Sequence, residues 1–378
     1  MDRTLRNNRI ADRGREFFRL MGEEKPSLFD RSHWTGKIMD WCMRDPHFKV
    51  QLLRFVDVFP SLTTADAFNR HLQEYFAEEE LDIPSLMKLG ARSSGMLGRL
   101  GSLVVGGAVK QQIRTMGHQF IIGETTREAV ANLSKLRQQG FAFVVDLLGE
   151  ATVCEEEADA TLLAYLDLIE ALRQERPDWP PFGDGTEQDW GQAPLLNLSV
   201  KPTSFYPQAR ALDFAGSVAA IRARIEPLYQ RLIEADGFLC IDMEATPVKD
   251  ITLELYRQLR SAYPAENRLG VVLQSYLTAT DQDLDALLSW ARQQQLPISI
   301  RLVKGAYWDQ ETIKAQLNGW PVPVHQDKAA TDAAFERQAE TILRNHDICH
   351  LACASHNIRS IAAVLETARA LEIGRAHV

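Results

Sequence analysis

The sequence predicts an α/β protein: a parallel barrel of the (β/α)8, TIM-like kind, with six βα units in this chain and an α-helical arm before them. Three observations predict it. From Met1 to about Lys135 the apolar residues keep helical spacing, as at Met39, Trp41, Cys42, Phe48, Leu52, Phe55 and Val56, with almost no strand signal. After that, six short apolar runs are each followed by a helix-length amphipathic stretch, the alternation of a parallel sheet. No glycine fingerprint opens the first unit, which separates the pattern from a doubly wound nucleotide fold.

The strands are expected at Phe141–Leu147, Leu196–Lys201, Phe238–Glu244, Gly270–Tyr276, Ile298–Lys304 and His350–His356. Their polar ends, Asp146, Lys201, Asp242, Gln274, Arg301 and His356, recur on average about every 42 residues. The first interval is lengthened by the loop Pro177–Pro194, rich in Pro, Gly, Asp and Trp. The boundaries read as 1–135 for an arm of the dimerising kind, 136–372 for the barrel and 373–378 for a non-native tail.

Composition narrows the function. The chain has 378 residues, 45% hydrophobic and 25% charged, enough for a large core. A net charge of −9 without any Lys/Arg-rich run excludes a nucleic-acid partner. Met1–Arg19 has no apolar core of the signal-peptide type, so a cytoplasmic protein is expected. Leu100–Val109 is about half as long as the ~20 residues a membrane helix needs. Five scattered cysteines, Cys42, Cys154, Cys240, Cys349 and Cys353, suit reduced packed thiols, so redox chemistry must come from a cofactor.

Strand alternation puts Cys240, Asp242 and Glu244 on one face, as it does Val272, Gln274 and Tyr276, and Ser299, Arg301 and Val303. In a barrel the carboxyl ends of the strands carry the active site. Asp146, Lys201, Asp242, Glu244 and Arg301 are therefore expected to pair with one another or with a charged ligand, because an isolated buried charge costs several kcal/mol. Two cations among several carboxylates suit a zwitterionic substrate and an electron-rich cofactor.

The stretch Ile300-Arg301-Leu302-Val303-Lys304-Gly305-Ala306-Tyr307-Trp308 resembles a signature of the proline dehydrogenase family. Asp146-Leu147-Leu148-Gly149-Glu150, Ser199-Val200-Lys201, Ile241-Asp242-Met243-Glu244, Val272-Leu273-Gln274-Ser275-Tyr276 and Ser355-His356-Asn357 follow the family's order, from about Gly117 to Leu371. The resemblance implies FAD-dependent oxidation of L-proline to Δ1-pyrroline-5-carboxylate, with electrons passed to a quinone at the inner membrane face. It implies catalytic roles for Lys201, Asp242 and Arg301, and substrate contacts for Lys201, Asp146, Glu150 and Tyr276. It implies cofactor contacts for Gln274, Arg301, Val303, Gly305, Ala306, Trp308, Lys328, Thr331, Ser355 and His356, and no metal. Gly305 reads equally as a close-approach position for a ligand and as a turn glycine. The helical first part resembles the arm of bifunctional proline-utilisation enzymes, which implies a homo-oligomer and a downstream aldehyde dehydrogenase domain.

The family continues through two more strands and a helix with an arginine pair, whereas Ile373–Val378 reads as translated adapter sequence. The chain alone is therefore expected to be inactive, with Glu150 deprived of its partner. Rival readings remain open: a Schiff-base aldolase using Lys201 with Asp242 or Glu244, a noncatalytic scaffold, and a metal module of His346, Cys349, His350, Cys353 and His356. On a strand, His350 and His356 would stand ~20 Å apart, which disfavours a shared metal ion. Gly95, Gly98, Gly101, Gly106 and Gly107 hint at a phosphate loop but follow no strand, so close helix packing explains them better.

Overall fold

The computed structural model describes residues 3–23, 46–58, part of 61–75, 121–148, 152–179 and 196–373. Glu150, the glycine cluster 95–107 and residues 374–378 lie outside the described residues. The chain divides into two compact units, one of residues 1–21 and 125–378 and the other of residues 22–124.

In the smaller unit, helix α2 (Pro46–Val58) buries Phe55, whose ring meets that of Tyr75 edge-on at 6.1 Å.

The larger unit alternates strand and helix after α1 (Arg3–Glu23) and α3 (Thr126–Gln138). The series is β1 (Val145–Asp146), α4 (Glu155–Glu175), β2 (Asn197–Val200), α5 (Phe214–Glu234), β3 (Phe238–Ile241) and α6 (Thr246–Ala262). It continues with β4 (Leu269–Gln274), α7 (Thr280–Gln294), β5 (Ile298–Val303), α8 (Trp308–Leu317), α9 (Lys328–Arg344), β6 (Cys349–Cys353) and α10 (Ile358–Ala370). The six strands form one parallel sheet in sequential order. A sequential all-parallel order with intervening helices is the winding of a βα barrel, because each right-handed crossover sets the next strand beside the last.

Several strands are shorter than their apolar runs. Only Val145 and Asp146 of the first run enter the ladder, and β6 ends at Cys353, leaving Ser355 and His356 in the turn before α10. Asp242 and Glu244 likewise follow β3 rather than lie within it. A strand stops where its neighbour stops, and single-strand hydrophobicity carries no information about that.

The alternation itself holds on β5. Ile298, Ile300 and Leu302 are buried in the helix layer, while Ser299, Arg301 and Val303 are half-buried on the other face. The buried helical residues recur at three- and four-residue steps, as with Ile221, Ile225, Leu228 and Leu232 on α5, and Ile251, Leu255 and Leu259 on α6. That periodicity lays one stripe of each helix on the sheet.

Helix starts follow local chemistry. Thr125 accepts from the Glu128 N–H at 3.3 Å, Asp327 from Ala329, and Asn357 from Ser360, each satisfying an N–H that a helix start leaves open. No side chain of its own caps α6.

Helix α1 packs on the far end of the unit. Ile10 is buried with Ala362 and Ala363 of α10, and Phe17 lies against them. Arg13 pairs with the buried Glu366 at 2.9 Å, and Arg6 pairs with Glu340 and donates to Thr367. No helix of the described residues is long and apolar enough to cross a membrane.

Candidate active site

The carboxyl ends of β1, β2, β3 and β5 bring four charged side chains into one network. Lys201, one residue past β2, pairs with Asp146 at the end of β1 and lies 3.6 Å from Asp242 Oδ2. Arg301 of β5 donates through Nη1 to Asp242 Oδ1 and to Ser199 Oγ, both at 3.0 Å. The Ser199 hydroxyl in turn donates to Asp242 Oδ1. The side chains of Asp242 and Arg301 are each 19% exposed and that of Lys201 is 33% exposed, so the pairs sit in a mouth that solvent still reaches.

Burial opposes the charge on Lys201, but the hydrogen bond and charge of Asp146, aided by Asp242, outweigh it and raise the pKa above the ordinary lysine value. Lys201 is therefore a fixed ammonium at neutral pH. Tyr165 of α4 braces Asp146 from behind, its hydroxyl lying 3.1 Å from Asp146 Oδ1 and 2.8 Å from the Ser199 carbonyl. That hydroxyl also accepts from the Leu147 N–H at 3.2 Å.

A second carboxylate stands beside the network. Glu244 accepts from the N–H and the hydroxyl of Thr203, at 2.9 and 2.6 Å, which fixes the turn just past Lys201. Burial raises its pKa above the ordinary 4.5, against the pull of those two bonds. As pH climbs through the window above 4.5, the unfolded chain loses this proton before the folded one, so folding stability falls. Glu244→Gln is expected to flatten that decline in urea midpoints measured from acid to neutral pH, and an unchanged slope would refute the assignment.

The other candidate residues are placed as follows. Gln274 is buried at the end of β4, its Nε2 donating to the Glu244 carbonyl at 3.0 Å. Tyr276 is 3% exposed in an apolar cluster with Leu277 and Val324, with Tyr307 and Val322 packed against it, and is outside the paired network. Gly305 has φ +131°, and a Cβ there would overlap the Tyr276 ring. Glycine is thus required by backbone conformation and by Tyr276, whatever ligand comes near.

Val303 is half-buried, Ala306 is exposed, and Trp308 donates from Nε1 to the His325 carbonyl at 2.8 Å. Thr331 is buried on α9, whereas Lys328 is exposed and pairs with Asp332, which Lys304 also holds. Ser355 Oγ accepts from the Asn357 N–H at 3.1 Å, and His356 is exposed.

Ser199 and Tyr165 are network members that sequence reading gave no role. Ser199 was within reach, since it lies two residues before Lys201 and alternation puts both on one face. Tyr165 was not, because on a helix it counts as one more apolar position. Burial pushes the Cys240 and Cys349 thiols up to about 12 and Cys353 up to about 11. These thiols stay protonated at neutral pH and are poor nucleophiles.

Paired charges gathered at the carboxyl edge of a sequentially wound parallel sheet define a barrel-type protein with an electrostatically prepared site at its strand ends. The chain belongs to the proline dehydrogenase family: the model described as "Proline dehydrogenase" matches residues 129–378, and "Proline utilization A N-terminal domain" matches residues 7–120. The bifunctional protein PutA of Escherichia coli (strain K12) is 29% identical over 276 residues, which are 72% of this chain and 20% of that protein. The proline dehydrogenase of Deinococcus radiodurans is 27% identical over 270 residues, covering 70% of this chain and 73% of that one. The structure of proline utilization A from Bdellovibrio bacteriovorus inactivated by N-propargylglycine has a TM-score of 0.86 at 33% identity, covering 100% of this chain and 37% of the other. The chain thus spans about a fifth of the length of the E. coli PutA protein.

Proposed function

We propose that the site oxidises L-proline to Δ1-pyrroline-5-carboxylate with FAD as acceptor, the electrons passing on to a quinone at a membrane surface. The observation that carries the reading is the joint engagement of Lys201 and Arg301 by one carboxylate, Asp242. Lys201 offers a fixed ammonium to the substrate carboxylate, a charge-assisted contact stronger than a neutral hydrogen bond. Asp146 and Asp242 hold that ammonium in place, and Tyr165 holds Asp146.

The residues present fit a flavin dinucleotide. Arg301 supplies a cation for the electron-rich ring, and Lys304 and Lys328 supply cations near the N-terminus of α9, where an anionic pyrophosphate is favoured. His356 and Ser355 stand before the N-terminus of α10. FAD bound there would supply a two-electron acceptor for the hydride of the ring carbon beside the proline nitrogen, with loss of that nitrogen's proton balancing formation of the C=N bond. Arg301, held by Asp242 and Ser199, is already oriented to stabilise the negative charge that develops.

Cofactor contacts for Gln274, Val303, Gly305, Ala306, Trp308 and Thr331 belong to the same proposal, as does a homo-oligomeric parent carrying an aldehyde dehydrogenase domain. The aldolase alternative needs a neutral lysine nucleophile, and Lys201 between two carboxylates is the opposite case.

The test is reconstitution with FAD of the parent protein that carries these residues, followed by anaerobic addition of proline, with the 378-residue chain alone as the inactive control. Bound flavin absorbance that bleaches with proline is the expected result. A parent protein that binds no FAD, or a borohydride-trapped adduct on Lys201, would overturn the reading.

A further inference from the structure

Glu311 is 4% exposed, in the first turn of α8, and no Lys, Arg or His of the described residues lies within ion-pair distance of it. A buried carboxylate without a cation must be stabilised by hydrogen bonds. Its Oε1 accepts from the backbone N–H of Thr246 at 2.5 Å and from the Thr246 hydroxyl at 2.7 Å. Thr246 is the first residue of α6, whose own flanking residue Ala245 supplies no cap. The missing cap therefore comes from a residue 65 positions away, and the positive end of the α6 dipole faces the carboxylate.

This cap joins two loops of the site. Thr246 lies two residues beyond Glu244, whose carbonyl takes the Gln274 amide and whose carboxylate takes Thr203. It lies four beyond Asp242, the partner of Arg301 and Lys201. On the other side Glu311 follows Gly305–Trp308, and its own N–H donates to the Tyr307 carbonyl at 2.9 Å. The Tyr276 hydroxyl is buried close to both the Glu311 charge and the Tyr307 backbone. One carboxylate thus ties the turn after β3 to the turn after β5.

We propose that Glu311 is a positioning residue that locks the Asp242–Thr246 segment to the Gly305–Trp308 loop, and so fixes the separation between the substrate-side charges and the flavin wall. It touches neither substrate nor cofactor and acts through Thr246. The proposal rests on the proline-oxidising reading for its kinetic consequence and on the hydrogen bonds alone for its mechanical one.

The experiment uses the FAD-reconstituted parent protein with Glu311→Ala, Glu311→Gln, Thr246→Ala and the Glu311→Ala/Thr246→Ala double variant. Glu311→Ala is expected to slow flavin reduction by proline by roughly 10- to 100-fold, with the half-saturating proline concentration moving less than about threefold, because small misplacements cost rate more than binding. Glu311→Gln, which keeps an acceptor for Thr246, is expected to restore most of the rate. The double variant is expected to be no slower than the worse single, since coupled residues are not additive. In the FAD-free chain, amide exchange over residues 242–246 is expected to quicken in Glu311→Ala and not in Glu311→Gln.

A lower melting temperature with unchanged reduction rate and unchanged exchange, or losses that multiply in the double variant, would overturn the proposal. Should wild-type flavin fail to bleach with proline, the functional reading falls, and exchange at 242–246 still decides the role of Glu311. If Glu311→Ala does not fold, Thr246→Ala against Glu311→Gln carries the comparison.

Discussion

Asp242→Ala is expected to slow proline-dependent flavin reduction by roughly 10²-fold or more, in the range seen when one preorganised electrostatic contact is removed. Among the described residues, Asp242 is the one group that meets Arg301, Lys201 and Ser199 together, at 3.0 Å from Arg301 Nη1 and 3.6 Å from Lys201 Nζ. Its loss leaves the Arg301 guanidinium with Ser199 as its neighbour in the network and frees Lys201 to swing wholly to Asp146. Both cations then drift from the positions in which substrate and flavin would find them. Asp242→Asn keeps an oxygen for Ser199 but removes the charge, and is expected to fall between wild type and alanine. Rapid-mixing absorbance gives the rate, and circular dichroism confirms that the variants are folded. Rates within about twofold of wild type for both variants would show that the network is structural rather than catalytic.

Arg260→Met is expected to destabilise the fold by about 3 kcal/mol while leaving the residual folded protein chemically competent. Arg260 is 1% exposed in the last turn of α6. Its Nε donates to the Pro297 carbonyl at 2.9 Å, and its Nη1 to the carbonyls of Tyr263 and Pro264 at 2.9 and 3.2 Å. One guanidinium therefore satisfies the end of α6, the turn that follows and the entrance to β5. Methionine fills the volume and strands three carbonyls, whereas Arg260→Lys keeps a single donor group and is expected to recover only part of the loss. Urea unfolding at constant m-value reads the difference. A methionine variant within about 1 kcal/mol of wild type would mean that water or a neighbouring donor replaces the guanidinium.

Much of this architecture is legible in the chain, for reasons that differ by element. The helix–strand alternation from α3 to α10 could be read because each strand buries one face in the helix layer, as Ile298, Ile300 and Leu302 do. The charged tips could be read because a charge that ends an apolar run is carried to the edge of the core, where only a partner or a ligand offsets its desolvation. Strand ends could not: Phe141 reads as a strand start yet is exposed, and the ladder begins only at Val145. Pairing with a neighbour sets those limits, and it is a property of two segments at once. Tyr165, Arg260 and Glu311 were hidden for a related reason. Each is one residue of an amphipathic helix whose partner lies elsewhere in the sequence, and periodicity reports burial without reporting what is touched. Gly305 reads in the sequence equally as a close-approach position and as a turn glycine, and in the structure the space a Cβ would take there is filled by the Tyr276 ring.

The docking of α1 on α10 sets an order on folding. Arg13 and Glu366 are separated by 353 positions, and Arg6 and Thr367 by 361. A ribosome releases Ile10 long before Ala362 exists to receive it, so the first helix waits with its apolar side bare while the sheet assembles. Closing so large a loop is slow, and its entropic cost grows only weakly with length. Helix α1 is therefore a late clasp, and it should be the first segment to open and the first that proteases find when the protein is stressed.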